Sequence, residues 1–237
     1  MVMHITKNSR GQRWRAAPEF GVMPLSGNKK HFMEKALLII DMQNEFCLKN
    51  EKDIGYNYSS IVAPINAISS HFRGNEWKVF WVNWGVDPSL ESVSEFQKEK
   101  FNNYEYPPEM NWKRKLNGSK KVLEKSSWSA SILSSLKKDK SDIYVSKQTI
   151  SGFHTSNLDK KLKEYSLKEL YFAGINLDQC VLATLLDAHC LGYDCILLED
   201  CTSTSSPDYC RQAVLYNVDK LFGNRGTRLT PDSLSLR

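Results

Sequence analysis

The stretch FAGINLDQCVLATLLDAHCLGYDCILLED, from Phe172 to Asp200, decides the fold. Its two ends, Phe172–Ile175 and Asp194–Asp200, are short continuous apolar runs, the pattern of strands buried on both faces. Between them Asp178–Leu191 reads as an apolar helix, with Asp178 as its N-cap and Gly192 where a left-handed cap residue is wanted. A polar loop, Asn176 to Gln179, opens that helix, and Cys180 stands directly behind it.

Outward from this unit the same alternation repeats. KALLIIDMQ (Lys35–Gln43), WKVFWVNW (Trp77–Trp84), DIYVSK (Asp142–Lys147), ELYFAGI (Glu169–Ile175), DCILLED (Asp194–Asp200) and DKLFG (Asp219–Gly223) are expected as strands. SSIVAPINAISSHFR (Ser59–Arg73), SSWSASILSSLKK (Ser126–Lys138), SNLDKKLKEYS (Ser156–Ser166, capped at Ser156 or Asn157) and SPDYCRQAVLYNV (Ser206–Val218) are expected as helices. This order predicts an α/β fold of three layers, α/β/α, with a doubly wound parallel sheet of six strands in the order 3-2-1-4-5-6. A polar, aromatic-dotted excursion at 85–126, whose YEYPPEMNW cannot form a regular helix, reads as a lid or a contact surface. The domain is expected over residues 35–223, between a basic arm at 1–34 and a polar tail at 224–237.

Composition bounds the class. The chain has 237 residues, 41% of them hydrophobic, and no apolar run near the ~20 residues of a membrane span. Residues 1–30 hold six basic side chains against Glu19 alone, which accounts for the whole formal charge of +5. The basic balance therefore describes the arm, and neither a nucleic-acid partner nor a membrane is expected. Cys47, Cys180, Cys190, Cys195, Cys201 and Cys210 form no C-x-x-C pair and no zinc-like spacing with histidine. Free thiols in a reducing, cytoplasmic setting are the expectation.

Ligands of doubly wound sheets sit off the carboxyl ends of the strands. That rule selects Asp41–Gln43, Asn83–Trp84, Ser146–Lys147, Ile175–Cys180 and Asp200–Thr202, and so brings one acid, one lysine and one cysteine to the same edge. A cysteine in a first helical turn meets unpaired N–H groups and the positive helix end, which favour a thiolate, and Lys147 would add to this. Buried cysteines are usually packing residues, which is the reading given to Cys190 and Cys195. Asp41 as a base, Lys147 as a cation and Cys180 as a nucleophile are the candidates for chemistry.

ALLIIDMQNEF, VSKQTISGFHTSNLDKKL and GINLDQCVLATLLDAHCLGYDCILLEDCTST together resemble the isochorismatase-like cysteine hydrolase family over about residues 35–220. That family includes nicotinamidases, N-carbamoylsarcosine amidohydrolases and ureidoacrylate hydrolases, and ISGFHTSNLD leans toward its streptothricin-hydrolase-like branch. The resemblance implies an Asp-Lys-Cys triad at Asp41, Lys147 and Cys180. It also implies a cis peptide at Ile175–Asn176, and an oxyanion hole from the N–H groups of Asn176 and Cys180. The implied activity is cleavage of a C–N bond in a small amide, ureide or carbamoyl compound through a thioester, by a homo-oligomer (dimer or tetramer) without a cofactor.

VNWGVDPSLESVSEF, after the second expected strand, contains no histidine, so no metal site of the nicotinamidase kind is expected. Gln43, Trp84, Phe153 and His154 are candidates for contact with substrate; core packing competes for Phe153, and a structural role competes for Gln43. A catalytically silent binding or regulatory protein of the same fold is the alternative. A nucleotide-binding protein is disfavoured, because DMQNEF stands where a glycine-rich phosphate loop would follow the first strand.

Overall fold

The structure is a computed structural model that describes residues 34–53, 58–87 and 123–222, excluding the side chains of 49–53 and Phe222. Chain contacts separate Met1–Phe32 from Met33–Arg237, and every described residue belongs to the second unit. The expected arm, the tail and most of the 85–126 excursion lie outside the described residues.

The described strands are β1 (Lys35–Ile40), β2 (Lys78–Trp84), β3 (Ile143–Lys147), β4 (Glu169–Gly174) and β5 (Asp194–Thr202). All pair in parallel, in the order β3-β2-β1-β4-β5. The helices are α1 (Asn44–Asp53), α2 (Ser59–Gly74), α3 (Leu158–Glu164), α4 (Leu182–Cys190) and α5 (Asp208–Phe222). A π-helical turn, Leu177–Val181, leads into α4. None of these helices is long and apolar enough to cross a membrane.

β1 explains the layering. Leu37, Leu38, Ile39 and Ile40 are all fully buried, because alternate residues face opposite covering layers. Leu38 and Ile40 join Phe80, Val82, Val145 and Phe172 against α3, α4 and α5. Leu37 and Ile39 join Val79, Trp81 and Ala173 against Ile61, Ile65, Ile68 and Phe72 of α2. Burying each such side chain stabilises the fold by about 1.5–3 kcal/mol.

Two expected elements are corrected. Asp219–Phe222 is the last turn of α5, not a sixth strand, and a sixth strand is not seen among the described residues. Ser126–Lys138 is a chain of turns, not a helix. Its serines bond locally: the Leu123 N–H donates to Ser129 Oγ, the Ala130 N–H to Ser127 Oγ, and Ser131 Oγ to the Ser127 carbonyl. Such bonds compete with the helical ladder. Carbonyls released in this way serve the neighbouring strand ends, as the site demonstrates.

The cap after α4 follows expectation. Gly192 has φ +87°, its N–H donates to the His189 carbonyl at 2.9 Å, and that of Tyr193 donates to Ala188 at 3.1 Å. This pair of bonds is a Schellman motif, which turns the chain back into β5.

Candidate active site

β1 stops one residue before its acid. Asp41 takes the left-handed conformation, φ 54°, its N–H donates to the Val82 carbonyl at 3.1 Å, and its carbonyl accepts the Gln43 N–H at 2.7 Å. Aspartate is among the few residues that adopt this conformation readily. The expected strand through Gln43 is therefore shortened, and the carboxylate sits at the sheet's edge.

Lys147 ends β3 and is fully buried. Its Nζ lies 2.9 Å from Asp41 Oδ2 and 3.5 Å from Cys180 Sγ. It also donates to the Thr149 carbonyl at 3.1 Å and stands 4.1 Å from the centre of the Trp84 ring. The ammonium is thus surrounded by a carboxylate, a sulfur, a carbonyl and an aromatic face.

Cys180 sits in the π-helical turn after β4. Gly174 makes the approach possible: its φ is +106°, and a Cβ there would lie 2.1 Å from the Ile40 carbonyl oxygen. The Ile175 N–H donates to that same oxygen at 3.0 Å, and the Ile175–Asn176 peptide is cis. Asn176, not Asp178, holds the N-cap position, and its carbonyl accepts the N–H groups of Gln179 and Val181 at 3.1 and 3.2 Å. Asp178 instead accepts a bond from the Thr204 hydroxyl.

Burial changes the expected state of the sulfur. Cys180 is only 8% exposed, and burial pushes its thiol up to about 12, with Asp41 acting in the same direction. Lys147 pulls the other way without overcoming burial. Burial therefore favours a resting thiol over the thiolate that the helix end alone suggests. Burial likewise raises the Asp41 carboxyl, against the lowering influence of Lys147. The buried thiol and the raised, buried carboxyl both meet the same ammonium, that of Lys147.

The other predicted contacts divide. Trp84 joins the site through its ring, while its backbone N–H donates to Asp41 Oδ1 at 3.1 Å and to Gln43 Oε1 at 3.0 Å. Gln43 is fully buried, and its Nε2 donates to the carbonyls of Trp84 and Ala130, both at 2.7 Å. Its amide is committed to joining β1, β2 and the serine-rich turns. Phe153 packs on the core, with its ring 6.0 Å from that of Tyr193. His154 is 69% exposed and pairs with Asp187 of α4 at 3.1 Å, a surface contact worth about 0–1 kcal/mol.

Two residues outside the expected set pack on the elements that carry this constellation. Phe46, on the first turn of α1, packs against both core clusters. Tyr58, preceding α2, donates its hydroxyl to Asn176 Oδ1 at 2.8 Å. Neither carries a motif of its own, and only the strand-edge geometry brings them in. The feet of the 85–126 excursion are pinned beside Trp84, with the Val86 N–H donating to Leu123 at 2.8 Å and that of Lys125 to Val86 at 3.0 Å. Among the described residues, no three His, Cys, Asp or Glu side chains cluster as metal ligands.

Comparison with known proteins identifies the family. Residues 35–228 match the isochorismatase domain. The chain is 30% identical over 195 residues to the ureidoacrylate amidohydrolase RutB of Pseudomonas savastanoi pv. phaseolicola, covering 80% of this chain and 79% of that protein. RutB of Klebsiella pneumoniae is 28% identical over 195 residues, covering 80% and 82%. Among solved structures, an isochorismatase family protein from Desulfovibrio vulgaris superposes with a TM-score of 0.68 at 19% identity, over 86% of this chain and 97% of that one. N-carbamoylsarcosine amidase from Thermoplasma acidophilum gives 0.61 at 20% identity, over 84% and 98%. The two structures speak for the fold, and the domain match for descent: the chain belongs to the isochorismatase-like hydrolase family.

Proposed function

We propose that this protein is a cysteine amidohydrolase that cleaves a C–N bond of a small ureide or amide through a thioester on Cys180. The observation that carries the proposal is the position of Lys147 Nζ, 2.9 Å from Asp41 Oδ2 and 3.5 Å from Cys180 Sγ, in a site with almost no solvent. Relatives named as ureidoacrylate amidohydrolases favour a ureido group as the reacting part of the substrate.

Asp41 takes the thiol proton as the sulfur attacks the substrate carbonyl. Transfer at the moment of attack suits a sulfur whose ionisation burial otherwise opposes. The Lys147 ammonium balances the negative charge that passes from carboxylate to sulfur and on to the substrate oxygen. The N–H groups of Asn176 and Cys180 receive that oxygen. The tetrahedral intermediate collapses, its C–N bond breaks, and the Asp41 carboxylic acid protonates the departing amine. Asp41, again a carboxylate, then removes a proton from the water that attacks the acyl carbon. As the C–S bond breaks, Asp41 passes that proton to the departing thiolate, restoring thiol and carboxylate. With a ureide the group on sulfur is a carbamoyl, and water releases carbamate.

An amine- and ammonia-release screen over ureides, carbamoyl compounds and simple amides, run beside the Cys180→Ala variant, tests this reading. Turnover of at least one ureide by the native protein and none by the variant is expected. Equal turnover by both, or release from none of the three classes, would remove it.

A further inference from the structure

We propose that Tyr58 is a positioning residue for hydrolysis, acting through the side chain of Asn176. The inference rests on the thioester reading and adds to it a part played by a residue remote from the triad in sequence. Tyr58 is 1% exposed and packs in the cluster under α2. Its hydroxyl donates to Asn176 Oδ1 at 2.8 Å, across 118 positions of the chain. The Ser205 N–H donates to the same oxygen at 3.2 Å, so the amide is gripped from the start of α2 and from the turn after β5.

Asn176 is the residue through which such a grip reaches the chemistry. Its own carbonyl anchors the turn holding Cys180, through the N–H groups of Gln179 and Val181. The turn after β5 adds a second hold, since the Leu177 N–H donates to the Ser203 carbonyl at 2.9 Å and Thr204 bonds Asp178. From the α2 side, Tyr58 is the residue that reaches the Asn176 amide. Removing its hydroxyl leaves Asn176 Oδ1 held from one side, and a tilt of the Asn176 unit moves the N–H that receives the oxyanion. Sub-ångström misplacement of such a donor lowers the rate of the chemical step while leaving substrate binding nearly untouched.

The isosteric Tyr58→Phe substitution tests this. The expected result is a kcat lower by about 10-fold with KM within about twofold of the native value. Alkylation of Cys180 by iodoacetamide, which uses the sulfur and its base but no oxyanion donor, keeps its native rate. Adding Asn176→Ala to Tyr58→Phe lowers kcat no further than Asn176→Ala alone, as expected for two groups acting in series. If Tyr58→Phe does not fold, Asn176→Ala by itself must give the same split between turnover and alkylation. A native kcat in Tyr58→Phe, or equal losses in turnover and alkylation, overturns the proposal. Turnover surviving in Cys180→Ala would instead condemn the thioester reading, so the two failures are distinct.

Discussion

Lys147 Nζ and Asp41 Oδ2 lie 2.9 Å apart, and neither side chain has more than 2% of its surface open to solvent. Such a pair is costly to assemble and far costlier to halve. Lys147→Met should destabilise the protein by about 3–5 kcal/mol, because the carboxylate is left buried without its cation. Adding Asp41→Asn should restore much of that loss, since the double variant buries no charge. Urea unfolding of the two variants checks the order; a double variant no more stable than the single one would show that the pair is not coupled.

The protonation states set two pH dependences. Turnover needs Asp41 as carboxylate, and burial raises that group above its ordinary range, so kcat/KM should rise with pH along a limb lying above the usual aspartate pKa. A Cys180 thiol near 12 predicts no thiolate absorbance in the resting protein at neutral pH. A thiolate signal titrating below neutrality would contradict this.

Stability follows the thiols in the opposite direction. Cys180, Cys195 and Cys201 are each pushed up to about 12 by burial. Their folded pKa lies above the ordinary thiol value of about 8.5, so their contribution is complete below that pH and lost as pH climbs toward 12. Denaturation midpoints should fall between neutral and strongly alkaline solution. Replacing Cys201 by Ala should flatten that fall.

Gln43 tests the distinction between scaffold and substrate contact. Gln43→Leu strands the carbonyls of Trp84 and Ala130, at about 1–3 kcal/mol for each buried group left unpaired. KM should stay within about twofold, because the amide is already committed. A large rise in KM at unchanged stability would return Gln43 to the substrate.

Gly174→Ala should be the most damaging single-methyl change among the described glycines. The new Cβ meets the Ile40 carbonyl oxygen at 2.1 Å while the backbone holds φ +106°. A strained φ alone costs about 1–3 kcal/mol, and the clash adds to it. Soluble expression and thermal unfolding report the outcome, and a near-native Tm would mean that β4 can shift away from β1.

What the sequence made legible follows from where its signals originate. Asp41, Lys147 and Cys180 stand at strand ends, and the strands announce themselves as apolar runs, so periodicity and the parallel-sheet rule bring them together. Gly192 was legible for a local reason, the left-handed residue that ends α4. Ser126–Lys138 misled because Ile132, Leu133 and Leu136 have helical spacing, while the serine-to-backbone bonds that undo the helix depend on neighbours. Asp219–Gly223 misled because five residues carry too little periodicity to separate a strand from a last helical turn. The burial that raises the Cys180 thiol leaves no mark in the sequence, whereas a helix end does. Tyr58 stayed hidden for the same reason: its partner is 118 positions away.

The central claim is that Cys180 carries the acyl group during turnover. Intact-protein mass spectrometry of an acid-quenched reaction with a turned-over ureide or amide measures this most directly. A mass gain equal to the acyl group, mapped to the peptide containing Cys180 and absent from Cys180→Ala, is the predicted result. Multiple turnovers with no adduct at any quench time, together with activity surviving in Cys180→Ala, would contradict it.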